Sequence, residues 1–553
     1  MTRPRTQILL TAVLLFGLAL GLTACDNVGV QPKSSASANN IFSEDGSYKA
    51  YLAKLYGGLN VTGQEGPAGS GDIGGIDEGF SQYLRLYWEM QELTADGAVI
   101  AWDDAGVELL NAHQWSDGNQ FSRGIYDRIF FQVSQSNEFL RQSTAARLDQ
   151  FGVSQERRRP IPQYRAEARF LRALSYWHGL DLFANIPLVD ETFPRGTQAP
   201  PQATPQEVFN FIESELEDIT DGDGAEQLPD PGQSEYGRVD KAAAWMLLAK
   251  LYQNAGVYLD GEQVGSRSDD VIEYTSRILD SGAYSLHPEY HELFLADNHQ
   301  ASSEFIFAIP HDGMNTQHFG GTTFLGNAPL PGDAADAFGL SGWEGIRTTS
   351  TTVDLFDSAD TRPIFPNLPT PGTQFFTEGR SKDITNIGDY RNGGGYVVPK
   401  YQNVTSTGEP GQNATHSDVD FPMFRLGDVH LMYAEAYKRE GGGSAGRAVS
   451  LVNDLRERAG LGRDIDASTL SLDFILDERG RELLWEAHRR TDLIRFDRFT
   501  GDEYVWACKG KRRTEGCTNP IGVATDDRYD LFPLPASELR ANPNLTQNPG
   551  YGS

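Results

Sequence analysis

The sequence predicts a mainly α-helical protein: a scaffold of tetratricopeptide-like helix pairs, with a loop-rich part carrying a few short strands between its two halves. Two observations lead there. Apolar and aromatic residues recur at helical spacing in segments that neighbour one another. A long middle stretch, residues 282–422, loses that spacing and fills with Gly, Pro, Thr and Asn. Helix–turn–helix repeats fit the paired segments, although no clean period is visible.

In chain order, Arg3 and Arg5 lead an apolar run from Ile8 to about Leu22, too short for a spanning helix and flanked like an export signal. It ends in Leu22-Thr23-Ala24-Cys25, small residues before a cysteine, which resembles the lipobox of bacterial lipoproteins. That resemblance implies cleavage after residue 24 and acylation of Cys25, whose thiol is the best nucleophile at hand for a diacylglyceryl group. Residues 25–40 are polar and rich in Ser, Ala and Asn, a flexible tether to a body spanning 41–553.

Within that body, helical scaffold is expected over about 41–281 and 423–500, the loop-rich insert over 282–422 and an irregular segment over 501–553. The clearest helices are Tyr164–Phe183, Asp240–Asn254 with Asp240 as N-cap, Phe424–Lys438, Ala445–Ala459 stopped by Gly460, and a long Phe474–Arg490. Fainter ones are Gly46–Leu59, Phe80–Leu93, Ser122–Gln142, Thr204–Asp218 and Asp269–Ser281. Short apolar runs at Glu304–Ile309 and Gly395–Pro399 are the expected strands. Pro533, Pro535, Pro543 and Pro549 exclude a long helix at the C-terminus.

Composition narrows function. Seventy-seven Asp and Glu against 47 Lys and Arg give a formal net charge of −30, which argues against nucleic acid and against anionic lipid surfaces as partners. Of three cysteines, Cys25 takes lipid; Cys508 and Cys517 stand close together in an exported chain, a plausible local disulfide. No cofactor or metal is expected: the ten histidines make no HExxH pattern, no phosphate loop or Gly-x-Ser-x-Gly elbow occurs, and Asp221-Gly222-Asp223-Gly224 lacks the remaining calcium-loop ligands. Glu478, Arg479, Arg481 and Glu482 form the most enzyme-like cluster, but their spacing is that of ordinary helix ion pairs.

Several segments together resemble one family. They are Ala166-Glu167-Ala168-Arg169-Phe170-Leu171-Arg172-Ala173-Leu174, Gly237-Arg238-Val239-Asp240-Lys241-Ala242, Phe424-Arg425-Leu426-Gly427-Asp428-Val429, Glu478-Arg479-Gly480-Arg481-Glu482-Leu483, Arg489-Arg490-Thr491-Asp492-Leu493-Ile494-Arg495, and the closing Asn542-Pro543-Asn544-Leu545 to Tyr551. In this order, behind a lipobox, the chain is identified as a member of the SusD/RagB family of Bacteroidetes outer-membrane lipoproteins. The resemblance implies a cell-surface lipoprotein, held in the outer membrane through its lipid, that binds a nutrient and sits on a TonB-dependent barrel transporter of SusC type. It also implies a helical scaffold with the ligand site on its loop-rich part, and a structural rather than catalytic role for Glu478–Glu482.

Sugar rings present C–H faces that stack on Trp and Tyr, while carboxylates and guanidinium groups take their hydroxyls. The candidate ligand contacts are therefore Trp102, Asp103, Asp104 and Trp115 after the first helices, and Trp343, Glu344, Arg347 and Tyr390 in the loop-rich middle, with Arg391 and Tyr396 nearby. Trp88, Trp177, Trp245 and Trp485 lie on expected helices and belong to the core. The expected function is capture of an oligosaccharide. Alternatives are a peptide-binding member of the family, an extracellular glycoside hydrolase using Asp103 or Asp104 with Glu344, and a structural cover for the transporter.

Overall fold

The structure is a computed structural model and describes residues 38–552 except Ala68 and Thr197. The export signal, Cys25 and the tether up to residue 37 lie outside the described residues. The chain divides into two units, Met1–Ser47 and Tyr48–Ser553. In the first, a short helix, Ala38–Ser43, takes up the last three residues read as tether.

The second unit is built on helices, most of which pack on a neighbour in the chain. They are α1 (Ser47–Asn60), α2 (Tyr83–Glu92), α3 (Gln120–Gln142), α4 (Ile161–Phe183), α5 (Pro205–Asp221), α6 (Lys241–Gln253) and α7 (Ser268–Ser281). After the insert, which carries α8 (Gly321–Asn327), come α9 (Leu426–Lys438), α10 (Ala445–Arg458), α11 (Leu472–Glu482) and α12 (Arg489–Arg495). α2 packs on α3, α3 on α4, and so on through α7, which passes the stack to α9 across the insert; α9 then holds α10 and α11. Stacking of neighbours is what repeat scaffolds use to bury faces that no single helix could bury alone.

Local chemistry sets the helix ends. Asn119 caps α3 by accepting from the backbone of Phe121 and Ser122 at 2.9 and 3.1 Å. Thr204 and Glu207 form a reciprocal capping box on α5, with Pro205 in its first turn. Asp240 caps α6 as expected, accepting from Ala242 at 2.9 Å. Gly460, at φ +76°, follows the end of α10 in the left-handed region that stops a helix. Ala242, Ala243, Ala244 and Ala249 of α6 are fully buried, small residues that let the helices on either side come close.

The expected helix Phe474–Arg490 is in fact two, α11 and α12, separated by residues 483–488. Trp485 and Ala487 there take positive φ of 61° and 62°, a conformation unfavourable for side-chain-bearing residues. What holds it is burial of Trp485: its carbonyl accepts from Trp88 and Tyr401 at 3.0 and 3.1 Å, and its indole donates to Gly97 at 3.0 Å. Phe424, read as helical, belongs instead to a strand. Trp245, read as core, is half-buried, with the Arg277 guanidinium 5.7 Å from its ring.

Two small antiparallel sheets organise the insert. β2 (Phe305–Ile309) pairs with β4 (Phe421–Arg425), Phe305 opposite Arg425 and Ile309 opposite Phe421, so the two ends of the insert are joined. β1 (Val99–Ile100) pairs with β3 (Ile346–Arg347), Val99 opposite Arg347. This second pairing brings the loop after α2 against the middle of the insert.

Beside β4 lies a buried ion cluster. Arg425 binds Glu304 at 2.9 Å, Glu482 at 2.7 Å and Glu486 at 2.6 Å, and Arg362 binds Glu478 at 2.7 Å and Asp360 at 2.6 Å. Burial pushes the Glu482 carboxyl up, but Arg458, Arg425 and Arg362 outweigh it and hold the group well below the carboxylate range. Arg479 joins Asp428 and Asp492, each at 2.8 Å. The enzyme-like cluster is thus the joint between α9, α10, α11 and the insert. Cys508 and Cys517 are disulfide-bonded and buried beside Val99, Ile384 and Ile387.

Candidate functional site

The β1–β3 pairing aligns two indoles. Beyond β1, the Ala101 amide donates to Gly345 at 2.7 Å, and the Trp102 indole donates to the Trp343 carbonyl at 3.3 Å. The Trp343 amide donates to Asn327, the last residue of α8, at 2.8 Å, which ties this segment to a helix packed on α2. The rings of Trp102 and Trp343 lie 6.5 Å apart at 41°, both half-buried. The Phe319 ring adds to the wall 6.2 Å from Trp343.

Gly345 makes room for this arrangement. A Cβ there would come within 2.6 Å of Trp102 Cζ2 and 2.7 Å of Nε1, inside any normal contact. Trp102 rests against a backbone that carries no side chain.

The floor is Arg85 of α2. Its Nε donates to Glu89 at 3.0 Å, and its Nη1 donates to the carbonyls of Gly79 at 2.8 Å and Phe319 at 3.0 Å. The guanidinium sits 4.5 Å from the Phe80 ring and 4.2 Å from the Phe324 ring. Among the described residues Nη2 has no partner, although it is buried. Burial lowers the Arg85 pKa, with Glu89 opposing that shift, and burial raises Glu89 to about 7 against the pull of Arg85. Asp77 caps the turn Glu78–Phe80 that carries Phe80, accepting from Gly79 at 2.9 Å.

Together Asp77, Gly79, Phe80, Arg85, Trp102, Asp104, Phe319 and Trp343 line one open depression of about 440 Å³. It joins aromatic walls, a guanidinium with an unused donor and two carboxylates, the set that a polyhydroxylated ring requires. A larger cavity of about 650 Å³ lies beside Tyr236 and Asp420. Its buried carboxylates already serve the protein: Asp420 accepts from His311 at 2.7 Å and Tyr236 at 2.6 Å, and Asp418 from Gly313 at 2.8 Å. Among the described residues no group of His, Cys, Asp and Glu is arranged to hold a metal ion.

Of the residues expected at the site, the structure brings Trp102, Asp104 and Trp343 together. Asp103 is exposed outside the depression. Glu344 accepts from Arg391, Nε to Oε2 at 2.8 Å, and from the Gly332 amide at 3.2 Å, and does not line the depression with Asp104. Three expectations are corrected. Trp115 is buried, donating to the Tyr551 hydroxyl at 2.8 Å and packed 4.7 Å from Phe532. Arg347 is buried and spends its guanidinium on loop carbonyls: Asp389 at 3.1 Å, Gly394 at 2.6 Å and Ile387. Tyr390 is buried and donates to Pro329 at 2.5 Å. Sequence reasoning missed Asp77, Phe80, Arg85, Phe319 and Gly345. Arg85 alone carried a signal, a charged residue among the apolar positions of α2.

Residues 370–551 match the model of the SusD family. Over 98% of its length, and 98% of the relative's, the chain is 33% identical to the starch-binding protein SusD of Bacteroides thetaiotaomicron. The chain belongs to the SusD family. A SusD-like protein of Formosa agariphila, P2, is 28% identical over 70% of the chain and 74% of its own length. Among solved structures, surface glycan-binding protein A from Bacteroides fluxus superposes with a TM-score of 0.66 at 21% identity, covering 92% of this chain and all of that one. The corresponding protein of B. thetaiotaomicron, in complex with laminarihexaose, gives 0.64 at 20% identity, covering 91% and 99%. These likenesses establish the SusD fold, and no helix among the described residues is long and apolar enough to cross a membrane.

Proposed function

We propose that this SusD family chain is a cell-surface lipoprotein of the outer membrane, anchored through Cys25, that captures an oligosaccharide without cleaving it and passes it to a SusC-like TonB-dependent transporter. The observation that carries the reading is the depression in which Trp102, Trp343, Phe319 and Phe80 surround the buried Arg85. Stacking on two indoles would contribute about 0.5–1.5 kcal/mol each beyond area burial. The Asp77 and Asp104 carboxylates would exchange water for sugar hydroxyls, over a floor made positive by Arg85. The full-length similarity to a protein named for starch binding makes an α-glucan the first ligand to test.

Non-enzymatic capture is supported by the placement of the carboxylates. Glycoside hydrolysis needs two carboxyl groups flanking the scissile bond; the pairing expected from the sequence, Asp103 or Asp104 with Glu344, is not assembled here, since neither Glu344 nor Asp103 lines the depression, and the two carboxylates that do, Asp77 and Asp104, are tested by looking for shortened glycan. The test is calorimetric titration of the soluble protein, begun after Cys25, with maltoheptaose, laminarihexaose and unrelated peptides, each mixture then chromatographed. Intact glycan bound, with affinity at least about tenfold weaker in Trp102→Ala, is the expected result. Shortened glycan in the chromatogram would overturn non-enzymatic capture, and heat from peptides alone would overturn the choice of ligand.

A further inference from the structure

We propose that Glu89, one helical turn beyond Arg85 on α2, is the positioning residue of this site: its buried carboxylate holds the Arg85 guanidinium between Phe80 and Phe324, and removing that negative charge weakens ligand capture. The inference rests on the glycan reading of the depression.

Arg85 fastens the site together. Through Nη1 it ties Gly79, in the turn that carries Phe80, to Phe319, so two aromatic walls from distant parts of the chain hang on one side chain. Arginine has five N–H donors. Nε is taken by Glu89 and Nη1 by the two carbonyls, and Nη2 is left without a partner. Glu89 is fully buried, and its second oxygen, Oε2, also lacks a partner. A buried ion pair left with two spare N–H donors on Nη2 and one spare acceptor oxygen is poor economy for stability alone. Of the pair only Arg85 lines the depression, so Glu89 acts on a ligand through the placement and charge of the Arg85 guanidinium.

Among the described residues Arg85 is the sole ion-pair partner of Glu89. On its own helix stands Arg85, at 3.0 Å, and on the loop after β1 stands Asp104, which repels it. Asp77 acts on Arg85 from the loop before α2. α8, packed on α2, contains no charged residue. Arg128 of α3 is turned to Ser81 and Thr62, and Arg489 of α12 to Asp96. Burial raises Glu89 to about 7, so protonation near neutrality would leave Arg85 without its counter-charge.

The Glu89 contribution to stability, read as the difference between the wild-type and Glu89→Gln melts, and the ligand affinity should then respond to pH in opposite directions. A carboxyl whose folded-state pKa lies above its unfolded one binds its proton more readily in the folded chain, so this group favours folding as pH falls from about 7 toward 4.5. Over the same range the site should lose affinity. A merely structural Glu89 would not separate the two.

The experiment is calorimetric titration of wild type, Glu89→Gln and Glu89→Asp with maltoheptaose, and with laminarihexaose, between about pH 8 and pH 5.5, with melting curves of the ligand-free proteins. Wild type should weaken by about tenfold on acidification, Glu89→Gln should be weak and flat with pH, and Glu89→Asp should keep the slope. Wild-type affinity that is flat with pH, or a Glu89→Gln protein that binds as wild type does, would overturn the proposal while leaving glycan capture intact. Failure of wild type to bind either glycan at any pH would overturn the glycan reading and this inference with it. A Glu89→Gln protein that does not melt cooperatively passes the decision to Glu89→Asp and the wild-type pH slope.

Discussion

Gly345→Ala tests the site at a residue that presents no side chain to the depression. One methyl group at Gly345 would approach Trp102 Cζ2 to 2.6 Å and Nε1 to 2.7 Å, where ordinary contact begins near 3.4 Å. The indole would have to retreat by about 1 Å, a displacement large enough to uncouple stacked groups. The backbone beneath cannot yield easily, since Gly345 accepts from Ala101 and donates to Ala328, each at 2.7 Å. Overpacking of this kind costs about 1–3 kcal/mol of stability. Displacing one of two stacking indoles should cost about 1.5–3 kcal/mol of binding, which is roughly 10- to 150-fold in Kd. The assay is calorimetric titration with the glycan that wild type binds, beside a denaturant melt. Wild-type affinity in a folded Gly345→Ala protein would refute the claim that Trp102, resting on bare backbone, forms part of the binding surface.

Other outcomes follow from the same geometry. Trp115→Ala should lose about 3–5 kcal/mol in a denaturant melt, as a buried indole packed on Phe532 and Tyr529, yet keep ligand affinity in the protein that remains folded. Cys508→Ser opens a disulfide across nine positions and should cost about 2–3 kcal/mol, read as a lower melting midpoint that reductant reproduces in wild type. Glu482→Gln strips the shared partner of Arg425, Arg458 and Arg362 and should destabilise by about 3–5 kcal/mol, since it leaves buried cations uncompensated. Acid should destabilise the wild type below about pH 4.5. Burial lowers His113, His178 and His488 to about 3 and His291 and His311 to about 4, so the unfolded chain takes up protons that the folded one refuses. Glu89 at about 7, Glu92 at about 8 and Asp127, Asp420 and Asp530 at about 6 act in the opposite direction. His318, His416 and His430 are lowered as well, while Glu78, Glu217, Asp240 and Asp477 are raised, so these two sets nearly offset each other; the carboxylates held low by their arginines, Glu304, Glu435, Glu478, Glu482 and Asp492, then set the sign, and a melting midpoint that rose on acidification through their range would contradict the balance.

The scaffold was legible because its signals are local. Asp240 before an apolar run, Gly460 after one and the spacing of α4, α6, α9 and α10 depend on contacts within a few residues. The break between α11 and α12 left no such mark: residues 483–488 contain neither Gly nor Pro, and what bends the chain is Trp485 finding Trp88 and Gly97 nearly four hundred residues away. The same holds for the site. Trp102 and Trp343 stood out as loop indoles, but the two-residue strands that bring them together are too short to show alternation. Arg347 and Tyr390 misled because polar residues in a Gly-rich loop look ligand-facing. Such loops leave backbone carbonyls without partners of their own, and these captured both side chains. Trp115 misled for a related reason, since the hydroxyl that satisfies its indole, on Tyr551, lies 436 positions away.

That division has a mechanical cause. The insert is fastened at both ends, by β2 against β4 and by Arg425 and Arg362 locked to carboxylates of α11, so its fold depends on buried groups remote from the depression. Between those anchors the chain reaches the site through few fixed points: the β1–β3 pairing, the hydrogen bond from Trp343 to the end of α8, and Arg85 holding Gly79 and Phe319. Groups at the rim, such as Asp77 and Asp104, are less buried than Arg85 and are free to change without disturbing the anchors. Ligand choice should therefore reside in the rim and ligand geometry in Arg85 with its partner Glu89. Exchanging rim residues should alter which glycan binds with little change in melting temperature, whereas changes at the floor should weaken every glycan alike.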